Sequence, residues 1–169
     1  MSTVQDSDRS SDLVEMFRVL AKLMAEFRRA AIYAQSTGVY AEASADAVPQ
    51  LVAEDGAAEA PAFSFFVDAV LQEPGSRGQT SLGASLRISY EEGEWRSICD
   101  LGWEFGGSVG KGPTVDWDYR DVEGCTGGEP VGFFSAVLRN CEELLAGFRT
   151  ALDEYAALVR AAETLRGAP

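Results

Sequence analysis

The residues best able to do chemistry lie between positions 90 and 121. Asp116, Trp117, Asp118, Tyr119, Arg120 and Asp121 follow one another without a break. On a strand, Asp116 and Asp118 share one face, roughly 7 Å apart. Such a pair can hold a hard cation or divide acid–base work. As a calcium loop the segment fails: Asp121 stands where glycine is required, and the twelfth position is Gly127 rather than glutamate. The plainer reading is a solvated strand face, because alternating charges are normally exposed. Glu91, Glu92 and Glu94 form a second acidic group around Gly93. It reads as a soluble turn, or as an acidic protrusion that meets a basic surface.

Two other chemistries are excluded by residue type. Gly106 to Thr114 is glycine-rich and holds Lys111. A phosphate-binding loop would need glycine where Phe105 stands, and Ser or Thr where Gly112 stands, with a helix following. Histidine is absent, so no Ser-His-Asp triad, Cys-His dyad or histidine zinc site can be built. Cys99, Cys125 and Cys141 lack CxxC spacing and are odd in number, which argues against a disulfide framework. No cofactor, metal or enzymatic activity is expected.

The elements that position these groups come from the hydrophobic pattern. Leu13, Met16, Phe17, Leu20, Leu23, Met24, Phe27, Ala31 and Ala34 recur at helical spacing over 12–36. Asp12 can cap that helix and Gly38 can stop it. Residues 1–11 are polar and read as a disordered tail ahead of a single domain, 12–169. Residues 39–62 hold Pro49, Gly56 and Pro61, with a short helix predicted near 50–54. The run 62–72 is ambiguous between helix and strand, and the need for a sheet neighbour favours strand. Ala84, Leu86, Ile88 and Tyr90 alternate with polar residues, as do Trp95, Ser97, Cys99, Leu101 and Trp103. A two-residue turn at Glu92 and Gly93 then pairs Tyr90 with Trp95 and Leu86 with Cys99. A one-residue slip would set Ile88 against Arg96.

Val115, Trp117 and Tyr119 predict a fourth strand. From Pro130 the pattern is helical: Phe134, Val137, Leu138, Cys141, Leu144, Leu145, Phe148, Leu152, Tyr155, Val159 and Ala162 form one stripe. A continuous helix over 131–165 would be about 50 Å long, so it bends near Gly147 or extends to pack on a partner. The expected fold class is α+β: about four strands, mainly antiparallel, with long N- and C-terminal helices packed on one face.

Charge narrows the function. The 169 residues carry 27 acidic and 14 basic side chains, a formal charge of −13. A phosphate-neutralising nucleic-acid binder needs the opposite balance. No apolar run approaches a membrane span and no signal peptide is legible, so the cytoplasm is the expected compartment. The size, acidity and element order resemble the broad class of bacterial immunity proteins, which neutralise a basic toxin or nuclease. The partner surface expected from that resemblance is Glu91, Glu92, Glu94, Asp116, Asp118 and Asp121 as charge, with Trp117 and Tyr119 as anchors. The alternative is an acidic secretion chaperone or adaptor for an exported protein, with the long helices offering a homodimer seam.

Overall fold

The computed structural model describes residues 3–52, 60–71, 80–91, 93–105, 120–122, 126–127 and 130–166. Two long helices flank the sheet strands in sequence. Helix α1 spans Thr3–Ser36, and four long strands follow: β1 (Tyr40–Val52), β2 (Ala60–Leu71), β3 (Thr80–Glu91) and β4 (Glu94–Phe105). Two short strands, β5 (Arg120–Val122) and β6 (Thr126–Gly127), precede helix α2 (Pro130–Arg166). The long strands lie in sequence order, each antiparallel to the next, and both short strands pair with β4. This is the α+β arrangement that the pattern predicts.

Alternation divides the sheet into two faces. Phe65, Val67 and Ala69 of β2, Leu82, Ala84, Leu86 and Ile88 of β3, and Cys99 and Leu101 of β4 are buried in one cluster. Val19, Leu23, Phe27, Ala30, Ala31 and Ala34 of α1 join it from above, with Val137, Cys141, Leu144, Leu145, Phe148 and Leu152 of α2. Helix α1 covers β1 and β2, and α2 covers β3 and β4. Among the described residues, the other face of the sheet carries no helix.

Chain reversal at each strand sets the direction of the helices. After β4, the chain pairs back along it: Val122 is opposite Cys99, and Gly127 is opposite Trp95 at the far end. Helix α2 therefore starts beside the β3–β4 turn and runs parallel to α1. The contacts advance together: the Tyr33 hydroxyl donates to the Asp153 carboxylate at 2.8 Å, and Arg160 Nη2 donates to the Thr37 carbonyl at 3.0 Å.

Several expectations are corrected. Helix α1 begins at Thr3, not Asp12, so residues 3–11 are helical backbone rather than a tail. No glycine or proline interrupts that stretch, and an established helix propagates at little cost. Over 50–52 the predicted short helix is replaced by the end of β1, and its remainder, 53–54, lies outside the described residues. Ala43, Ala45 and Ala47 face the core while Glu42, Ser44, Asp46 and Val48 face outward, a period-two pattern that alanine disguises. Pro49 is tolerated because β1 is an edge strand. The fourth long strand is β1. The predicted strand at 115–119 lies outside the described residues; β5 and β6 are short strands that the pattern does not predict.

Phe17 fits the core stripe by spacing but is 64% exposed. At about 100° per residue it lies about 80° around α1 from Phe27 and about 120° from Leu23, which turns it out of the core. Ala162 also leaves its predicted stripe for solvent. Helix α2 is unbroken at Gly147. That glycine serves a close approach instead, since a Cβ there would lie 3.1 Å from Leu101 Cδ2. Gly38 ends α1 with φ +71°, a left-handed conformation that costs glycine least.

Candidate partner-binding surface

The helix-free face is built from aligned rows. One row runs Asp46, Phe66, Ser85, Asp100 and Asp121 across β1, β2, β3, β4 and β5. Ser85 Oγ donates to Asp100 Oδ2 at 3.3 Å. The next row is Ser44, Asp68, Gly83 and Gly102. The Asp68 carboxylate leans over Gly83: a Cβ there would lie 2.8 Å from Asp68 Oδ1. On the other side runs Val48, Ser64, Arg87 and Ile98, followed by Gln50, Ala62, Ser89 and Arg96. Gln50 Nε2 donates to Ser64 Oγ. Small side chains fill the middle of this face, so its larger groups stand above their neighbours.

Glu42, Asp46, Asp68, Asp100 and Glu94 supply carboxylates to this side, against Arg87 and Arg96. Val48 and Ile98 are exposed, and Phe66 is half-buried between Asp46 and Ser85. The face is thus acidic with apolar points inside it.

The β3–β4 turn lies at one end of this surface. Gly93 has φ +88°, the left-handed geometry that a tight hairpin demands. Register sets Tyr90 opposite Trp95 and Glu91 opposite Glu94. Aromatic packing holds this end of the hairpin. Trp95 lies 5.0 Å from the Tyr90 ring, 5.9 Å from Phe133 and 5.3 Å from Phe134, which pins the hairpin to the first turns of α2.

Comparison with protein-family models, curated proteins and solved structures finds no match to this chain. Its function therefore rests on the surface itself.

The predicted site residues divide into three groups. Glu94 is exposed at the tip, and register brings Glu91 opposite it. Asp121 falls opposite Asp100, so β5 extends the acidic row by one register position. Glu92, Asp116, Trp117, Asp118 and Tyr119 lie outside the described residues. Sequence reasoning missed the contribution of β1, namely Glu42, Asp46 and Val48. Their alternation with Ala43, Ala45 and Ala47 is the signal that could have found them.

It also missed an apolar patch on the helix-covered face, where the strands run on past the helices. Phe63 is opposite Ile88, and Leu51 and Tyr90 are its diagonal neighbours on β1 and β3. All three are exposed, Leu51 by 66%.

Among the described residues, no group of three or more His, Cys, Asp or Glu side chains could hold a metal. No described helix is long and apolar enough to cross a membrane. Cys99 and Cys141 are buried in the helix–sheet core. Burial, with Cys99 beside it, pushes the Cys141 thiol up to about 12, so it is no nucleophile at neutral pH.

Proposed function

We propose that this chain is a non-catalytic, acidic protein-binding module that neutralises a basic protein, as an immunity protein neutralises a basic toxin or nuclease. One observation carries the reading: among the described residues, the sheet face left open by both helices sets Glu42, Asp46, Asp68, Glu94 and Asp100, with Val48, Phe66, Val70 and Ile98, against Arg87 and Arg96. The charge, part of a net −13, speeds encounter with a cationic surface and rejects anionic partners. Val48, Phe66 and Ile98 supply the desolvated contacts that slow release. Glu94 carries the same charge to the start of β4.

The test begins with capture of a folded basic protein from the native host and continues by titration against it. Asp46→Asn, Asp100→Asn and Phe66→Ala together should weaken binding by at least tenfold, about 1.4 kcal/mol. They should also flatten its dependence on salt. An affinity and salt slope equal to those of the parent would overturn the reading, as would capture only of unfolded export clients.

A further inference from the structure

Strand β1 ends the sheet: it pairs with β2 on one side, and no described strand lies on the other. It is also the longest described strand, at 13 residues. A long edge is a template for another strand, because alternate residues turn both the N–H and the C=O outward.

Three local features identify those residues. Pro49 has no N–H, so its nitrogen belongs on the outer side. Gln35 Nε2 of α1 donates to the Ala43 carbonyl at 2.9 Å, and the Ala47 N–H donates to Asp46 Oδ1 at 2.8 Å. Positions 43, 45, 47, 49 and 51 therefore face the edge. Gln35 and Asp46 each meet a group that a neighbouring strand would meet. Ala45, between them, turns both backbone groups out, and no described backbone group meets them.

Side chains define what fits beside this edge. On the open face Glu42 and Asp46 are exposed, and β1 contains no lysine or arginine. On the other face α1 overhangs the edge. Phe17 is 18 residues from Gln35, about five turns, so both project on the same side of the helix. Met24 and Arg28 lie about 20° to either side of that line. Phe17 is 64% exposed and Met24 is partly buried. Because the chain reverses at Gly38, about 27 Å of helix from Gln35 matches about eight residues of strand from Ala43. That places Phe17 near the level of Leu51, which is 66% exposed. Arg28 keeps cations off this face.

We infer that the β1 edge accepts an extended basic segment of the protein partner as an added antiparallel strand. The inference rests on the proposed function and states how that partner is held. Two cations of the segment, four residues apart, meet Glu42 and Asp46 on the open face. Apolar residues at alternate positions on the other face pack under Met24 and Phe17. A cation opposite Asp46 takes its carboxylate and frees the Ala47 N–H for the added strand. Main-chain hydrogen bonds hold the segment, and the two faces select it. A second copy of β1 does not fit, since Glu42 and Asp46 of both copies would share one face with no cation.

The experiment titrates the full chain, at up to about 1 mM, into labelled Val-Thr-Val-Lys-Ala-Thr-Ala-Lys, read by fluorescence anisotropy. Saturable binding is expected, with slowed hydrogen exchange at the Ala45 and Ala47 amides. Methylating the two alanine nitrogens of the peptide removes main-chain donors without changing charge, and should weaken binding at least tenfold. Ala45→Pro removes an outward N–H, leaves pairing with β2 intact, and should do the same with circular dichroism unchanged. Phe17→Ser should weaken binding about threefold without moving Tm, since the ring is exposed.

No binding of the peptide overturns the inference, as does equal binding of its methylated form. Unchanged binding by folded Ala45→Pro also overturns it. Against a captured basic protein the two readings part. Loss through Asp100→Asn and Phe66→Ala, with none through Ala45→Pro, overturns the edge inference and leaves the proposed function standing.

Discussion

The two faces of one sheet differ more than any two separate elements of this molecule. Alternate residues of the same strands build both. On the covered side Phe65, Val67, Leu82, Leu86 and Cys99 lose nearly all contact with water. On the open side their immediate neighbours Ser64, Phe66, Ser81, Ser85 and Arg87 keep part of theirs. Backbone pairing is shared, so the difference is made by the residue types at alternate positions and by the helices packed over one set of them. One face holds the fold together, and the other is free to be recognised.

Core substitution should separate the faces most clearly. Leu86→Ala on the covered side leaves a cavity and should cost about 2–5 kcal/mol. Phe66→Ala on the open side should cost about 1 kcal/mol, because water fills the space. Urea unfolding of both variants checks this, and equal losses would mean that the open face is not open.

Alkaline pH tests the dryness of the covered face. The Cys141 thiol is raised from its usual 9.0 to about 12, chiefly by burial. Below about pH 9 both folded and unfolded chains keep that proton, so its contribution is fully present. Between about pH 9 and about 12 the unfolded chain gives it up first, and stability falls as pH rises. Tyr40 acts in the same direction at higher pH: burial raises it most, with Tyr155 and Asp153 adding. Its hydroxyl donates to the Leu152 carbonyl at 3.0 Å. Thermal melts of the parent and Cys141→Val should diverge above about pH 9, with the variant falling less steeply. Parallel curves would show that the thiol is hydrated.

The smallest effect belongs to the helix–helix seam. Tyr33→Phe removes a hydrogen bond to both Asp153 oxygens, each at 2.8 Å. Arg149 lies 5.9 Å over the same ring and is unaffected. Because the site is solvated, the loss should be about 0.5 kcal/mol, readable as a shift in urea midpoint. A loss above about 2 kcal/mol would place the seam among the buried elements.

Much of this fold is legible in the residue pattern. The β3–β4 register, Tyr90 on Trp95 and Leu86 on Cys99, follows from two alternating runs and one glycine, because a slip would bury an arginine. Both long helices follow from apolar spacing. Strand β1 is hidden because alanine marks its inner positions, and alanine favours helix in isolation. The open acidic face is hidden for the same reason: without β1, the row from Asp46 to Asp121 has no beginning.

The sequence by itself determined the β3–β4 hairpin, the two long helices in outline, the acidity, and the absence of histidine chemistry. These depend on local periodicity and residue type, which a linear chain displays. Tertiary structure alone decided which sheet face the helices cover, that α1 and α2 run parallel, and that Phe17 and Ile32 point to water while Phe27 does not. Those outcomes depend on the chain doubling back along β4 and on which stripe of an apolar helix finds a sheet. Periodicity records that a stripe exists, but only packing chooses the side that is buried.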